Sequence, residues 1–528
     1  MAFTDDEKPA STTNTGRTKG LVTIKPVKYF KEDAALTADT VTAEVEINAT
    51  SSTAVREGLD LVAVLDVGGG MAGERIDSMK KAMAFVIMKL TPVDRLSIVT
   101  FSDGATRLSP LRSMTPAAQN DLKALIDGLR ASGGTNINIQ AGLDTGLDVI
   151  AGRVNTTART ASIFLMSDGH PTSGDARQVV VPAQVAIYTF GFGSGTDHQL
   201  MSDIARKSPG GTFSNLPDGS MVSLALSQLL GGLLTVVAQD VALTITPKTE
   251  EGDVDTVQVF PGTDYTQDTD ADTGVITIKF ATLFAGEGRR VVITLALKDV
   301  TATSSEEYDA PLAEAQHSFT AQARPRDPQA PQDIQIKRTP SPSQAPGASV
   351  KARQVQAEIT RRQHADAIRQ ARLLADAGGL DEARYKLEDA HNALDDIVLD
   401  DGEKLAAALR TELLRLIALL DTPELYRAQG QPYALASETS HGRQRYAARD
   451  GDVDGGVRLF ATPRMDTYLE HAKNFEKDPN APVPSADEDA KKEIIANPLS
   501  AISTELAYYL RKAIEALQAI EKIVAPST

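Results

Sequence analysis

The chain has 528 residues, no cysteine, no tryptophan and a formal net charge of −17. Its length exceeds one hydrophobic core, and the lack of cysteine excludes disulfides, zinc ribbons, RING fingers and thiol catalysis. The acidic balance argues against a nucleic-acid or anionic-membrane partner, and no apolar run approaches the ~20 residues of a membrane span.

Residues 1–18 are polar and read as a disordered tail without the apolar core of a signal peptide, so an intracellular location, cytoplasmic first, is expected. Strand-like alternation follows at Leu21–Val27 and Val41–Ile47, and residues 19–55 are expected to join a later β-sandwich. From 56 to 235 the pattern changes to strands (Leu59–Asp66, Arg95–Phe101, Ala161–Asp168, Gln184–Gly191) separated by helices near 75–90, 116–130, 138–152 and 197–207. That alternation predicts a doubly wound, mostly parallel α/β sheet of Rossmann-like form.

Residues 236–322 return to β alternation and predict a β-sandwich. A proline-rich stretch, 323–348, is expected to act as a linker to a C-terminal α-helical module, 349–528. Within that module 426–460 reads as irregular and polar, and helices are expected near 464–476 and 500–523. Leu374–Arg384 has the cadence of a tetratricopeptide-like hairpin, but only once. Leu405, Leu409, Leu413, Leu416 and Leu420 recur at three- and four-residue steps, for which core packing is the default reading. The same reading applies to Leu506, Tyr509, Leu510, Ile514, Leu517 and Ile520.

Three loops carry the chemistry: Asp66–Gly70, Ser132–Asn136 and Met166–Gly169. An aspartate closing a buried strand, followed by a glycine turn into a helix, sits where α/β folds bind ligands. The first loop reads two ways. It is a metal site short of hydroxyls, or a dinucleotide turn, since Gly68-x-Gly70-x-x-Gly73 is a literal G-x-G-x-x-G. Against the second reading, Asp66 would set a carboxylate beside the phosphates, and the next strand ends at Asp103, later than a ribose-binding acid about 20 residues on. Catalytic signals are absent: none of the seven histidines stands in an H-E-x-x-H spacing and no G-x-S-x-G elbow occurs. His170 beside Asp168 reads as a loop histidine, and His198 after Asp197 as part of a helix start.

Taken together, the three loops resemble the von Willebrand factor A domain, whose metal-ion-dependent adhesion site is Asp-x-Ser-x-Ser on one loop, a Thr on a second and an Asp on a third. Asp66, Thr135 and Asp168 match those positions, whereas Gly68 and Gly70 stand where the family has serines. Ala72–Asp77, Asp94–Ser102, Thr189–Gly193 and Gly210–Phe213 are similar to the intracellular plant branch of the family, and Arg458–Leu469 to its accompanying Vwaint-like helical region. The resemblance implies a non-enzymatic interaction module or scaffold that binds a protein partner at the top face of the α/β domain. Asp66, Thr135 and Asp168 are the implied metal residues, and Gly69, Met71, Asn136, Gly169 and His170 the implied partner-binding positions. No cofactor is implied with certainty beyond a weakly held Mg²⁺ or Mn²⁺, because two hydroxyl ligands are missing. Some members of the branch carry a RING finger and act as ubiquitin ligases. Without cysteine that activity does not transfer, which leaves a non-catalytic adaptor in ubiquitin ligation and a nucleotide-binding enzyme as alternatives.

Overall fold

The computed structural model describes residues 7–11, 20–52, 56–132, 134–250, 252–326, 330–343, 347, 349–395, 397, 402–450 and 458–496, with scattered positions between 506 and 520. Most of the expected tail and of the helix at 500–523 lies outside the described residues.

Five parallel strands form the centre of the α/β sheet, in the order Phe213–Leu216, Val185–Phe192, Arg159–Ser167, Gly58–Asp66, Arg95–Phe101. Two short strands, Ala105–Arg107 and Arg112–Ser113, pair antiparallel with the last of these. Because side chains alternate along a strand, the first strand feeds two cores. Leu59, Leu61, Ala63 and Leu65 face helices Glu74–Lys89, Pro116–Asp127 and Val222–Leu233. Val62 and Val64 face helices Ile139–Ala151 and His198–Lys207. Successive strands run one way from Gly58–Asp66 and the other way from Arg159–Ser167, so the topological switch point falls between these two. Their carboxyl ends are therefore where the fold leaves a crevice.

The opposite end of the sheet is closed by charge. Asp60 is fully buried and accepts from Arg95 at 2.7 Å through both carboxylate oxygens, from Arg153 at 2.9 Å and from Arg159 at 2.8 Å.

Two sheets sandwich a second core. Asp39–Ala49, ahead of the α/β domain, pairs antiparallel with Gly288–Leu297, beyond it. The facing sheet runs from Thr266–Thr269 through Ile276–Phe284, Val236–Pro247, Tyr308–Ala321 and Gln332–Thr339 to Asp33–Ala35. Strand Gln332–Thr339 lies inside the stretch that composition marks as linker. Its alternation buries Ile334 and Ile336 against the sandwich, which overrides the proline-rich signal on either side.

The C-terminal helices do not stand apart from these layers. Leu409, Leu413, Leu416 and Leu420 pack with Ile368, Leu387 and Tyr433 in a helical core. Residues 426–443, expected to be irregular, form a π-turn at Tyr426–Gly430 and helix Gln431–Arg443, buried from Pro432 to Arg443. Sequence pattern misses this helix because its buried side chains are largely polar and satisfied by partners rather than by oil. Ser440 Oγ donates to the Arg445 carbonyl at 2.7 Å, and Glu438 accepts from Arg372 and Arg206. The stripe Leu506, Tyr509, Leu510, Ile514, Leu517 and Ile520 is exposed, contrary to its expected place in a core. Among the described residues no helix is long and apolar enough to cross a membrane.

Candidate functional site

Asp66 ends its strand with no exposed surface. Its Oδ1 accepts the Gly68 amide at 2.8 Å, and its Oδ2 accepts the Ser167 hydroxyl at 2.6 Å. Burial pushes its carboxyl up to about 6, against the pull of these donors. The second loop is stitched to the first. The Gly69 amide donates to the Gly134 carbonyl at 2.8 Å, and the Ser132 amide to the Val67 carbonyl at 2.6 Å. The third loop is tied to the second through Ile137, whose amide donates to Thr172 Oγ1 at 2.9 Å and whose carbonyl accepts the Thr172 amide at 2.8 Å.

Asp168 is brought to the same point but is engaged differently. Its side chain is 3% exposed and its Oδ2 accepts Arg75 Nη1 at 2.6 Å. Burial lifts the Asp168 carboxyl above its ordinary value even beside this guanidinium. Arg75 projects from the first turn of helix Glu74–Lys89, and its Nε and Nη2 donate to the two oxygens of Asp218 at 2.7 and 2.9 Å. The ion pair with Asp218, then that with Asp168, hold the guanidinium proton more firmly than usual.

The residues expected here divide by exposure. Thr135, Asn136 and His170 are exposed, Gly69 and Gly169 are half-buried, and Gly68 is buried while Gly70 is exposed. Met71, expected at the partner face, is instead fully buried in the α/β core, because the short helical turn Gly69–Met71 aims its side chain inward. Arg75, Asp218 and Ser167 carry the site's electrostatics without having been singled out. Arg75 and Asp218 are 143 residues apart, and only a basic side chain directly after the glycine turn hinted at the first of them.

The space around the glycines bears on what the site holds. A Cβ on Gly70 would lie 2.5 Å from Asp168 Oδ2, and one on Gly68 would lie 2.3 Å from Ile137 Cδ1. Four amides of the turn are also spoken for: Gly68 to Asp66, Gly69 to Gly134, Met71 to the Gly68 carbonyl and Ala72 to the Gly69 carbonyl.

A second cluster, His364, Glu412 and His441, is buried in the helical region and has no local sequence spacing that would reveal it. Both Nε2 atoms lie 2.8 Å from Glu412 Oε2, and Arg449 Nε donates to Glu412 Oε1 at 2.6 Å. Arg361 donates to His441 Nδ1 at 3.2 Å, which sets that ring's proton on Nε2, pointing at Glu412. Burial holds His441 down to about 4, and the Arg449 guanidinium, helped by the hydrogen bonds from the two imidazoles, keeps Glu412 ionised well below the usual carboxylate range. With that Nε2 lone pair committed to a proton, the cluster is a hydrogen-bonded pin between helices.

A parallel α/β sheet with a paired-aspartate crevice at its switch point is the arrangement of a von Willebrand factor type A domain. The chain contains that domain, its family model matching residues 60–228, followed by a region matching the VWA / Hh protein intein-like (Vwaint) family over 403–474. It is 29% identical over 256 residues to E3 ubiquitin-protein ligase WAV3 of Arabidopsis thaliana, covering 48% of this chain and 32% of that protein. It is also 38% identical over 117 residues to the probable E3 ubiquitin-protein ligase WAVH2 of the same plant, covering 22% and 16%. Inter-alpha-trypsin inhibitor heavy chain H4 of Bos taurus is 26% identical over 196 residues, covering 34% and 21%. The chain thus spans about a third or less of the length of these relatives. Among solved structures, a von Willebrand factor type A protein from Catenulispora acidiphila shares the fold, with a TM-score of 0.59 at 16% identity over 75% of this chain and 91% of that one.

Proposed function

We propose that this protein is a non-enzymatic recognition module or scaffold that binds a protein partner at the top face of its α/β domain, through a degenerate metal-ion-dependent adhesion site. The observation that carries this reading is the exposed rim of Thr135, Asn136 and His170, set on loops that are cross-bonded to a buried aspartate pair. Recognition residues on loops held by a rigid sheet are the usual way such folds bind. The donor set does not fit a divalent ion. Mg²⁺ wants near-octahedral oxygen ligands, two serine hydroxyls are replaced by glycine, and the Asp168 carboxylate is paired with a guanidinium. The amides of Gly68, Gly69, Met71 and Ala72 are likewise committed within the protein rather than offered to a pyrophosphate.

The enzyme activity named for the Arabidopsis relatives belongs to proteins of which the matched parts are minor fractions, and these 528 residues hold no cysteine. Their names do favour one second reading, a non-catalytic adaptor in ubiquitin ligation inside the cell. The test is affinity capture with the full chain and with a Thr135→Ala/Asn136→Ala/His170→Ala variant. Loss of a partner in the variant, at unchanged thermal stability, is the expected result. Equal capture by both would remove the top face from the proposal, and a ubiquitin-conjugating or ligase component among the captured proteins would select the adaptor reading. Alongside it, Mg²⁺, Mn²⁺, NAD(P) and ATP are each expected to leave the melting temperature unchanged. A ligand at 100 times its Kd would add about 2.7 kcal/mol, which a melt reads easily.

A further inference from the structure

Arg75 sits between two carboxylates of opposite character. On its inner edge Nη1 meets Asp168, whose side chain is 3% exposed, and also points to the Gly70 carbonyl at 3.4 Å. On its outer edge Nε and Nη2 form a two-pronged pair with Asp218, whose side chain is 57% exposed. Two glycines hollow out this seat. A Cβ on Gly70 would run into Asp168 Oδ2 at 2.5 Å. A Cβ on Gly193, itself at φ +65°, would lie 2.5 Å from Arg75 Nη2 and 2.7 Å from both Asp218 oxygens. The guanidinium thus occupies the space beside the third-loop aspartate and the missing second hydroxyl.

We propose that Arg75 is the resident cation of this face, making it independent of metal, and that it receives a single acidic side chain of the partner on the edge that Asp218 now covers. This rests on the reading that the top face recognises a protein. The inner pair is buried and fixes the guanidinium, because breaking it would strand Asp168 without a counter-charge. The outer pair is open to water, with the Asp218 side chain 57% exposed, so a carboxylate arriving with further contacts can exchange for it at the same fork. The planar fork binds an incoming carboxylate as it binds Asp218, two N–H groups to two oxygens. The net charge of −17 works against a polyacidic partner, so the class named is one acidic side chain in an otherwise neutral surface.

Two measurements on the full chain test this, and neither needs the partner, so failure of the top-face capture is distinguishable from failure here. The first follows Mn²⁺ by electron paramagnetic resonance. Wild type and Gly68→Ser/Gly70→Ser are expected to leave the free-ion signal undiminished, whereas adding Arg75→Gln or Arg75→Met to the serine pair is expected to let one ion bind. Uptake by the serine pair with Arg75 intact would overturn the proposal, and so would no uptake by either folded triple variant. The second titrates glutarate and reads the arginine Nε–H resonances. Asp218→Ala is expected to bind at least tenfold more tightly than wild type, with the gain lost in Asp218→Ala/Arg75→Gln. No gain, or a gain that survives loss of Arg75, would overturn it.

Discussion

His198 shows what a buried titratable side chain does to this fold. It is 3% exposed, lies against Phe213 with ring centroids 6.0 Å apart, and begins the helix that Asp197 caps by accepting the Leu200 amide at 2.9 Å. Burial lowers its pKa to about 4 from the model-peptide 6.5. The sign follows from proton counts. Between pH 6.5 and 4 the unfolded chain binds this proton and the folded one does not, so stability falls as pH drops through that window and is level above it. At pH 5 the loss is about 2 kcal/mol relative to pH 7. His198→Leu is expected to remove that share of the loss, read as the difference between urea midpoints at pH 7 and pH 5. An unchanged difference would mean that the ring is solvated in the native state. His441, also held near 4, keeps an acid-sensitive remainder in the variant.

Among the elements, helix Glu74–Lys89 joins the site to the C-terminal region. Its first turn carries Arg75, and its last residue, Lys89, is fully buried. Lys89 Nζ donates to Asp489 at 2.9 Å and to the Pro484 carbonyl at 2.7 Å, lies 2.7 Å from His471 Nδ1, and sits 3.9 Å from the centre of the Tyr468 ring. Burial brings its pKa down to about 8, the Asp489 carboxylate opposing the shift. Lys89→Met leaves the buried Asp489 with the looser contacts to Arg464 at 3.8 Å and His471 at 4.0 Å, and is expected to cost about 3 kcal/mol. Removing both charges with Lys89→Met/Asp489→Leu is expected to recover most of that. Chemical denaturation of the two variants checks it, and a double variant no better than the single one would show that Asp489 is satisfied without Lys89. Helix boundaries of this kind follow from periodicity in the sequence, which placed Pro463–Lys477 to within a residue at each end. The lysine's partner, 400 residues away, does not.

For the molecule as a whole, what the sequence discloses is set by how local the signal is. The strand–helix alternation of the α/β domain and its three loops are local patterns, and so is the fold. Gln431–Arg443 has no amphipathic stripe because it is buried on all sides, and the Arg75–Asp218 pair that defines the site joins distant segments. Arg445 shows the same principle between layers. It follows that buried helix and has no exposed surface. Its Nε and Nη2 donate to the two oxygens of Glu287 at 2.9 and 2.8 Å, Nη2 also to the Thr282 carbonyl at 2.9 Å, and Nη1 to the Gly210 carbonyl at 3.1 Å. One side chain from the C-terminal region therefore fastens the sandwich to the α/β domain. Beside it the Asn215 amide donates to the Ala448 carbonyl at 2.9 Å, covering the edge of the α/β sheet. A chain so fastened is expected to unfold in one cooperative transition. Arg445→Met strands Glu287 with only Arg289 as counter-charge and loosens all three layers at once. It is expected to cost about 3 kcal/mol or more and to split the single calorimetric transition into two. A variant that melts in one transition at the wild-type temperature would show that the layers hold together without this arginine.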